Sequence, residues 1–330
     1  MRPLPDIGVV ILHGGDLART GEARASLARA GHRQGETLAV VKACHAGEAG
    51  ALEREFGPGR VLVENKESNG LASLLNRGVV AALEAGSDYV LILDASCRLE
   101  DNALAPLLIA LEAQRFSGAA CPVVVGDENG AVFSFGGRVK NWTGGPCFRL
   151  SGTRKDSSAL RQWETAGYAP FQCVLFKREF LEDVGLFNEA YGSSAFDAEL
   201  GLRASREHWS IIAVPQSVAT ISSQDDVVMD RASTAFEQAR NPLWLLNGYG
   251  VPVKRLVALV VRMGCIWPLE FASNLFRGRF RATWAVIRGS LQGIFNRGFE
   301  TGGHLAVPLK GRKHQVRTPA PSAFVMKHLI

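Results

Sequence analysis

Four short apolar runs dominate the hydrophobic pattern of the first hundred residues. Each run is continuous rather than alternating, which is typical of strands that are buried on both faces. The runs are Ile7–Leu12, Leu38–Val41, Val61–Glu64 and Tyr89–Leu93. Segments with helical spacing lie between or after them, at Thr20–Ala30, Gly70–Ala85 and Asp101–Ala113. This alternation predicts an α/β fold, with strands paired in parallel and helices on both faces of the sheet.

Polar residues stand where three of these runs end. His13 follows the first run, Lys42 the second and Asp94 the fourth. In parallel sheets the carboxyl ends of the strands share one edge, and ligands bind there. We therefore expect these three side chains at the edge of the sheet that carries the functional site.

The pattern of predicted elements changes after about residue 119. Pro122–Val125 and Ala131–Phe135 predict a hairpin. Residues 140–170 are rich in Gly, Ser, Trp and charge, and they predict a long irregular loop, a type of segment that often contacts substrates. Further along, the predicted elements are a strand at Cys173–Phe176, a helix at Leu200–Glu207 and a strand at Ile211–Val214 that ends at Pro215.

The C-terminal part of the chain is helical in pattern and basic in charge. Amphipathic spacing continues from about residue 232 to Arg297, and the end of the chain has little regular pattern. Between Lys254 and Lys313 there are eleven Lys or Arg against two acidic residues. The predicted organisation is an α/β domain over residues 1–230, a basic amphipathic helical region over 231–300 and a flexible tail over 301–330.

Two interpretations of the basic helical region remain open. Aromatic residues alternate with arginines in it, and this combination suits an in-plane contact with an anionic membrane surface. The alternative is a helical cap over the sheet whose arginines lie in water. Charged residues interrupt every apolar stretch, so no run reaches the ~20 residues of a spanning helix. No nucleic-acid-binding motif accompanies the arginines, and nucleic acid is not an expected partner.

Composition adds the expected compartment. A hydrophobic content of 47%, with 21% charged residues and a net charge of +5, is typical of a packed globular protein. The six cysteines are scattered and form no Cys-x-x-Cys pair, which favours reduced thiols. No apolar stretch of signal-peptide length follows Met1. We expect a soluble protein on the cytoplasmic side, with peripheral attachment to the inner face of the cell membrane as an option.

Four blocks of sequence occur in a characteristic order. They are Glu64–Ala72 with Asn76–Gly78, Leu83–Asp94, Phe176–Glu179 with Val184–Glu189, and Asp197–Arg203. In this order and spacing they resemble the rhamnosyltransferase-like branch of the family-2 glycosyltransferases, over roughly Ile7–Gln224. The resemblance implies the fold called GT-A, a mixed, mostly parallel sheet flanked by helices, here followed by the C-terminal amphipathic helical region.

The resemblance also implies an activity and a base. The family moves a sugar from a nucleoside-diphosphate donor to an acceptor hydroxyl with inversion, which requires a base for the acceptor proton. That position aligns with Asp197. Phe196 stands where the family usually carries Glu, and it would raise the pKa of Asp197 if it packed against the carboxylate. The alternative is that Asp197 only caps a helix beginning near Ala198.

The metal position departs from the family pattern. The Asp-x-Asp motif of the family aligns with Asp94-Ala95-Ser96, so a hydroxyl replaces the second carboxylate. Mg²⁺ and Mn²⁺ prefer charged oxygen ligands. A divalent cofactor on Asp94 is therefore doubtful, and a contact from Asp94 and Ser96 to the donor, or a strand-end cap by Asp94, are the alternatives.

The other donor positions are altered as well. His13 and Lys42 stand where the family typically has Asn and Asp. A Lys cannot accept a hydrogen bond from a base N–H, so Lys42 is assigned to a phosphate or carboxylate group of the donor. His13 is assigned to similar work, and the alternative is that it is a plain turn residue. Asn76 matches the helix beside the donor cleft and completes the set of expected donor contacts.

Two function hypotheses follow. The first is an inverting glycosyltransferase of polysaccharide or glycolipid assembly at the cell envelope, with a glycan or lipid-linked acceptor covered by the aromatic residues Trp142, Trp163 and Tyr168. The second is a catalytically inactive binding or scaffold subunit of a glycan-assembly complex. A nucleotidyltransferase would need a longer phosphate loop than His13–Asp16.

Overall fold

The computed structural model describes residues 5–32, 37–42, 46–57, 59–64, 70–128, 130–222, 231–250, 252–277 and 279–295. In its N-terminal part, four strands alternate with helices as the sequence predicts. The strands are β1 (Ile7–His13), β2 (Thr37–Lys42), β3 (Val61–Glu64) and β4 (Tyr89–Asp94). The helices are α1 (Leu17–Arg29), α2 (Ala46–Phe56) and α3 (Leu71–Glu84). All four strands pair in parallel, in the order β4-β1-β2-β3.

The middle of the chain extends this sheet with shorter elements. The strands are β5 (Cys97–Leu99), β6 (Ser117–Gly126), β7 (Val132–Ser134), β8 (Gly137–Val139), β9 (Pro146–Phe148), β10 (Glu164–Ala166), β11 (Cys173–Lys177) and β12 (Ser210–Ile221). The helices are α4 (Leu104–Ala113), α5 (Arg178–Val184) and α6 (Phe196–Arg206), with 3₁₀ turns at Ser158–Leu160 and Glu189–Tyr191.

The central sheet is mixed and mostly parallel. Its order is β10-β12-β6-β11-β4-β1-β2-β3, with β5 beside β12 and β7 beside β6. β11 lies antiparallel between β4 and β6 and joins the two parallel groups. β8 and β9 form a separate two-stranded sheet. The predicted fold class is therefore confirmed.

Two apolar cores cover the two faces of the sheet. Val10, Leu12 and Ile92 point into one core with α3, while Val9, Ile11 and Leu93 point into the other with α1 and α4. Because both faces are covered, β4 is buried along its whole length, and this explains why the strands are continuously apolar in sequence. The cysteines within the described residues are free thiols.

The C-terminal region of the described chain is helical. Its elements are α7 (Arg231–Tyr249), α8 (Pro252–Val261), a π-helical segment (Arg262–Ile266), α9 (Trp267–Phe276) and α10 (Phe280–Phe295). α10 packs along α7. No helix within the described ranges combines the length and the apolar character that crossing a bilayer demands. The predicted tail, 301–330, lies outside the described residues, and the proposed division of the chain into domains stays a prediction.

Several sequence-based boundaries are wrong. The strand predicted to end at Pro215 continues to Ile221, because a register shift between Val214 and Val218 removes the proline from the hydrogen-bonded ladder. The predicted irregular loop 140–170 contains β9 and β10. α6 begins at Phe196 rather than Leu200, and neither α2 nor β5 was predicted.

Candidate active site

Asp197 lies in the first turn of α6, directly after a turn with unusual backbone geometry. Ala195, the residue before the helix, has φ 61° and ψ 9°, a left-handed conformation that a residue with a Cβ rarely adopts. Such strain persists only where the surrounding structure enforces it, and it concentrates at functional sites. Asp197 is the second helical residue and not the N-cap, so the capping interpretation is wrong in its simple form.

The loop that leads to this turn is held by α7. The Oε2 atom of Glu237 accepts the backbone N–H of Ser193 at 3.0 Å. Arg240 donates to the carbonyl of Ala190 at 2.8 Å. Asn241 donates to two carbonyls, those of Tyr191 at 2.8 Å and Ser194 at 2.7 Å. We call these three α7 residues, Glu237, Arg240 and Asn241, the loop clamp.

A second helix holds the same loop from the other side. At the start of α3, the backbone N–H of Leu71 donates to Ser193 Oγ at 3.0 Å, and that of Ala72 donates to the carbonyl of Gly192 at 3.0 Å. Gly70 lies so close to Gly192 and Ser193 that a Cβ would collide with them. The loop before Asp197 is thus fixed between α3 and α7, and this restricts the position of the carboxylate.

A cavity of about 230 Å³ opens beside Asp197. Aromatic and small polar side chains make up most of its wall. The lining residues are Pro146, Cys147, Phe148, Tyr168, Phe171, Gln172, Ser193, Ser194, Ala195, Phe196 and Asp197. Segments far apart in sequence therefore meet here: β9, the stretch before β11 and the clamped loop.

The carboxylate of Asp197 is mostly enclosed by protein but keeps part of its surface on the cavity. Burial raises its pKa from the ordinary 3.8 to about 6. Backbone N–H groups of Ala198, Phe171 and Asp197 itself oppose the rise by hydrogen bonding the charged form, and Ala198 N lies 2.8 Å from Oδ1. The predicted direction of the shift is confirmed. A carboxylate with this pKa is ionised at neutral pH and is still a usable base.

Phe196 has a structural role beneath this site. It is fully buried, and its ring lies 5.3 Å from that of Phe171 and 5.1 Å from that of Phe187. This aromatic cluster packs directly before Asp197 in α6, and Phe171 and Phe196 also line the cavity.

In the Asp94-Ala95-Ser96 turn, the carboxylate of Asp94 forms hydrogen bonds within the turn itself. Oδ1 of Asp94 accepts both the backbone N–H of Ser96 at 2.8 Å and its hydroxyl at 2.6 Å. No group of three His, Cys, Asp or Glu suited to a metal ion occurs in the described ranges. A divalent cation therefore fits these residues poorly, because one of the two oxygens of the single carboxylate is already engaged.

His13 and Asn76 are committed to packing. His13 is 3% exposed, and its Nδ1 lies 2.6 Å from the hydroxyl of Thr20 on α1. Asn76 donates to the carbonyl of Phe187 at 2.9 Å and to Glu189 at 3.0 Å, and it accepts the N–H of Phe187 at 3.0 Å. The amide of Asn76 and the Nδ1 atom of His13 thus contact neighbouring segments of the protein, and donor binding by either residue stays a prediction.

Lys42 lies where the sequence predicts, at the end of β2, beside the end of β1. Its side chain lies outside what the structure describes, so its contact with a donor stays a prediction.

Of the aromatic residues assigned to the acceptor, only Tyr168 reaches the cavity. Trp163 packs with the core on the opposite face and donates to Gln216, and Trp142 is exposed.

Two features of the site were missed in the sequence. Gln172 lines the cavity, and its backbone carbonyl accepts the N–H of Asp94 at 2.8 Å, which connects the two carboxylate positions. Glu199 is buried and forms an ion pair with Arg203 at 2.8 Å and a hydrogen bond from Tyr249 at 2.6 Å, which ties α6 to α7. The spacing of Glu199 and Arg203, one helical turn, was a signal for that pair. Gln172 carries no such signal.

Comparisons with solved structures give the fold a name. The chain is similar to GalNAc-T7, solved with UDP, GalNAc and Mn²⁺, at a TM-score of 0.55 and 16% identity over 74% of this chain and 48% of that one. This chain therefore spans about half the length of GalNAc-T7. It is also similar to the mannosyltransferase PcManGT of Pyrobaculum calidifontis, solved with GDP-Man and Mn²⁺, at 0.46 and 16% identity over 89% of this chain and 90% of that one.

The TM-score with PcManGT is below 0.5, which is too low to assign a fold. The fold assignment therefore rests on the similarity to GalNAc-T7. No protein-family model and no curated protein matches the sequence. The branch of glycosyltransferases that the sequence resembles stays a prediction for this reason. At 16% identity the likeness to GalNAc-T7 shows architecture and nothing finer: the chain has the GT-A fold of nucleotide-sugar glycosyltransferases.

Proposed function

We propose that this chain is an inverting glycosyltransferase that moves a sugar from a nucleoside-diphosphate donor to an acceptor hydroxyl. The observation that carries the proposal is the Asp197 carboxylate, which lines a cavity and has a pKa raised to about 6. A raised pKa at the wall of a cleft is a mark of a functional carboxylate. The GT-A fold supplies the expectation of a sugar donor, because the solved neighbour GalNAc-T7 binds UDP.

The chemical step assigned to Asp197 is proton removal. Its carboxylate takes the proton of the acceptor hydroxyl while that oxygen bonds to the anomeric carbon. The bond from this carbon to the diphosphate oxygen breaks at the same time, and the nucleoside diphosphate leaves with the electron pair. Attack from the face opposite the leaving group inverts the configuration.

The cavity suits the acceptor better than the donor. Its volume of about 230 Å³ leaves room for one sugar ring beside Asp197. The rings of Phe148, Tyr168 and Phe171 on its wall are apolar surfaces on which a sugar ring can lie. We assign the cavity to the terminal sugar of a glycan or lipid-linked acceptor in polysaccharide or glycolipid assembly on the cytoplasmic side.

Gln172 is the second contact we assign. Its buried Oε1 has no hydrogen-bond partner among the described residues, and the side chain lines the cavity. A buried amide oxygen without a partner is costly, and a substrate hydroxyl would satisfy it. Gln172 therefore orients the acceptor beside Asp197.

Charge neutralisation of the leaving diphosphate is assigned to the protein. A divalent ion, bound in GalNAc-T7 as Mn²⁺, would supply positive charge to the leaving group, but Asp94 and Ser96 fit it poorly. Lys42, at the end of β2, is the cation at this edge that the sequence assigns to the diphosphate. The closed Asp94–Ser96 turn equally favours the second candidate, an inactive binding subunit.

A transfer assay separates the two candidates. The purified protein is incubated with a panel of UDP-, GDP- and dTDP-sugars and with glycolipid extract as acceptor, and labelled product is measured. We expect one donor to give product whose new linkage has the inverted configuration. Asp197→Asn should abolish the product, while Asp101→Asn, at an exposed carboxylate, should not. Failure of every donor, together with no thermal shift by UDP, GDP or dTDP, would favour the binding subunit.

A further inference from the structure

The helix α10 buries its small residues and leaves its large ones outside. Gly289 and Gly293 lie against the backbone and side chains of α7, so closely that a Cβ at either position would collide with it. The hydroxyls of Thr283 and Ser290 are buried on the same face, and each donates to a carbonyl of its own helix, at 3.1 Å and 2.7 Å. This face is made for close contact between two helices.

The outer face of α10 is aromatic. Phe280, Trp284 and Phe295 are 68%, 61% and 78% exposed, and Leu291 is exposed as well. Successive members of this set are four or seven residues apart, so the four side chains lie along one stripe of the helix. An amphipathic helix at the surface of a soluble protein has the reverse arrangement, with its large apolar residues against the core. The orientation of α10 therefore leaves its large apolar side chains without a covering element among the described residues.

The neighbouring helices also carry exposed large apolar residues. Of the fourteen exposed large apolar residues in the described chain, ten lie between residues 252 and 295. On α8 and the π-helical segment they are Leu256, Val260 and Met263, and on α9 they are Leu269, Phe271 and Phe276. A cluster of this kind marks an interaction surface. We call it the aromatic face.

The charges beside the aromatic face are positive. Arg277, Arg281 and Arg288 are exposed on or beside α10, and Glu270 is the one acidic residue in the sequence from 252 to 295. A protein partner of matching charge would need an acidic rim around an apolar centre. An anionic bilayer offers both in one plane, with headgroups for the arginines and acyl chains for the aromatic side chains.

We propose that α8–α10 dock the protein in the plane of an anionic lipid bilayer. The aromatic face enters the boundary between headgroups and acyl chains, and the arginines lie at the headgroups. No described helix could cross the bilayer, so the contact lies parallel to it. α7 joins this face to the loop clamp, which places the candidate active site within one helix of the membrane.

Vesicle flotation tests the proposal without any sugar transfer, so its outcome is independent of the proposed function. The full chain is mixed with vesicles of phosphatidylcholine alone or with phosphatidylglycerol added. We expect binding to the anionic vesicles that weakens as salt screens the charges. Phe280→Ser/Trp284→Ser/Phe295→Ser should reduce the partition coefficient on anionic vesicles at least tenfold. Arg281→Gln/Arg288→Gln should reduce it about fivefold per arginine there, with no change on neutral vesicles.

The matched control is Ile109→Ser/Phe116→Ser, which removes exposed apolar side chains from another part of the surface and should leave binding unchanged. Melting curves check that each variant folds, and all substituted side chains are exposed. Absence of binding to anionic vesicles, or binding that the triple serine variant retains, would overturn the proposal. A dimer without vesicles that the same variant dissociates would assign the aromatic face to a second copy of the chain instead.

Discussion

The two carboxylates at the candidate site, Asp197 and Asp94, lie in opposite chemical environments. Asp197 is held by backbone N–H groups, borders the cavity and has a pKa raised by burial. One carboxylate oxygen of Asp94 accepts hydrogen bonds from the N–H and the hydroxyl of Ser96, two residues further along the chain. The acceptor side thus presents a carboxylate to a ligand, whereas the donor side ties its carboxylate into a local turn.

The contacts that hold the two sides of the candidate site in place also differ. The loop before Asp197 is fixed by the loop clamp on α7 and by the start of α3. On the donor side, His13 packs against α1 and Asn76 against the segment after α5. The comparison teaches that the proposed base is held from two sides beside a cavity, whereas His13 and Asn76, which the sequence assigns to the donor, contact neighbouring segments of the protein, so the two sides need separate tests.

The largest expected effect compares the two carboxylates directly. Asp197→Asn should lower the transfer rate by ~10²–10⁴-fold, the usual contribution of a general base, because an amide cannot take the acceptor proton. Asp94→Asn should lower it less than about tenfold, since the amide oxygen still accepts from Ser96. Initial rates at saturating acceptor measure both. Equal losses would show that the donor side contributes as much to catalysis as the acceptor side.

The loop clamp gives the next largest effect. Asn241 is fully buried, and Asn241→Ala leaves the carbonyls of Tyr191 and Ser194 without their donor. We expect a loss of about 2–4 kcal/mol in the free energy of unfolding, measured by urea denaturation. Asn247→Ala on the same helix is the control, because Asn247 is half-buried and makes one longer bond to Gly293. A similar loss from both would mean that α7 is sensitive along its length and that the clamp is not special.

Much of this fold could be predicted from sequence, because its signals are local. β1, β3 and β4 are continuous apolar runs, and α3 has apolar residues at helical spacing, so burial dictates both the type and the position of these elements. β12 was cut short at Pro215, because the register shift that accommodates the proline depends on the neighbouring strand β6. Short strands such as β9 have too few residues to show a period.

The site was predictable only where the chain itself carries the chemistry. Asp197 was assigned as the base from its sequence block, and the structure places it beside a cavity with a pKa raised by burial. The hydrogen bonds of Asn76 could not be predicted, because its partner, Phe187, lies 111 positions away, and no pattern near Asn76 reveals it. Gln172 was missed for the same reason, since its value lies in bordering a cavity assembled from distant segments.

The pH dependence of stability distinguishes a buried base from an exposed one. The pKa of Asp197 is raised from 3.8 to about 6, so the folded state binds its proton more tightly than the unfolded state does. Its contribution to stability therefore falls as pH rises from about 4 to about 6 and stays low above that. Asp197→Asn removes this penalty. We expect the variant to be about 1–2 kcal/mol more stable than the unaltered protein at pH 7.5, less than the ~3 kcal/mol that two pKa units imply, because the amide satisfies the backbone N–H groups less well.

Urea denaturation at pH 7.5 and pH 4 measures this difference, and the advantage of Asp197→Asn should shrink at the lower pH. Asp101→Asn, at a carboxylate whose side chain is largely exposed, should show no such dependence. An Asp197→Asn variant that is less stable at both pH values would mean that the carboxylate is held by its hydrogen bonds more strongly than burial opposes it.

The smallest expected effect concerns the metal position on the donor side. Ser96→Asp restores a second carboxylate beside Asp94 and removes the hydroxyl that occupies its Oδ1. Two carboxylates in one turn repel each other without a cation and attract Mn²⁺, so the variant should gain about 1 kcal/mol of stability when Mn²⁺ is fivefold above its Kd. Ser96→Ala, which removes the hydroxyl without adding charge, should gain nothing, and thermal melts with and without Mn²⁺ measure all three proteins. Equal stabilisation of the unaltered protein would show that Asp94 holds a cation unaided, and the contrast between the two sides of the site would then disappear.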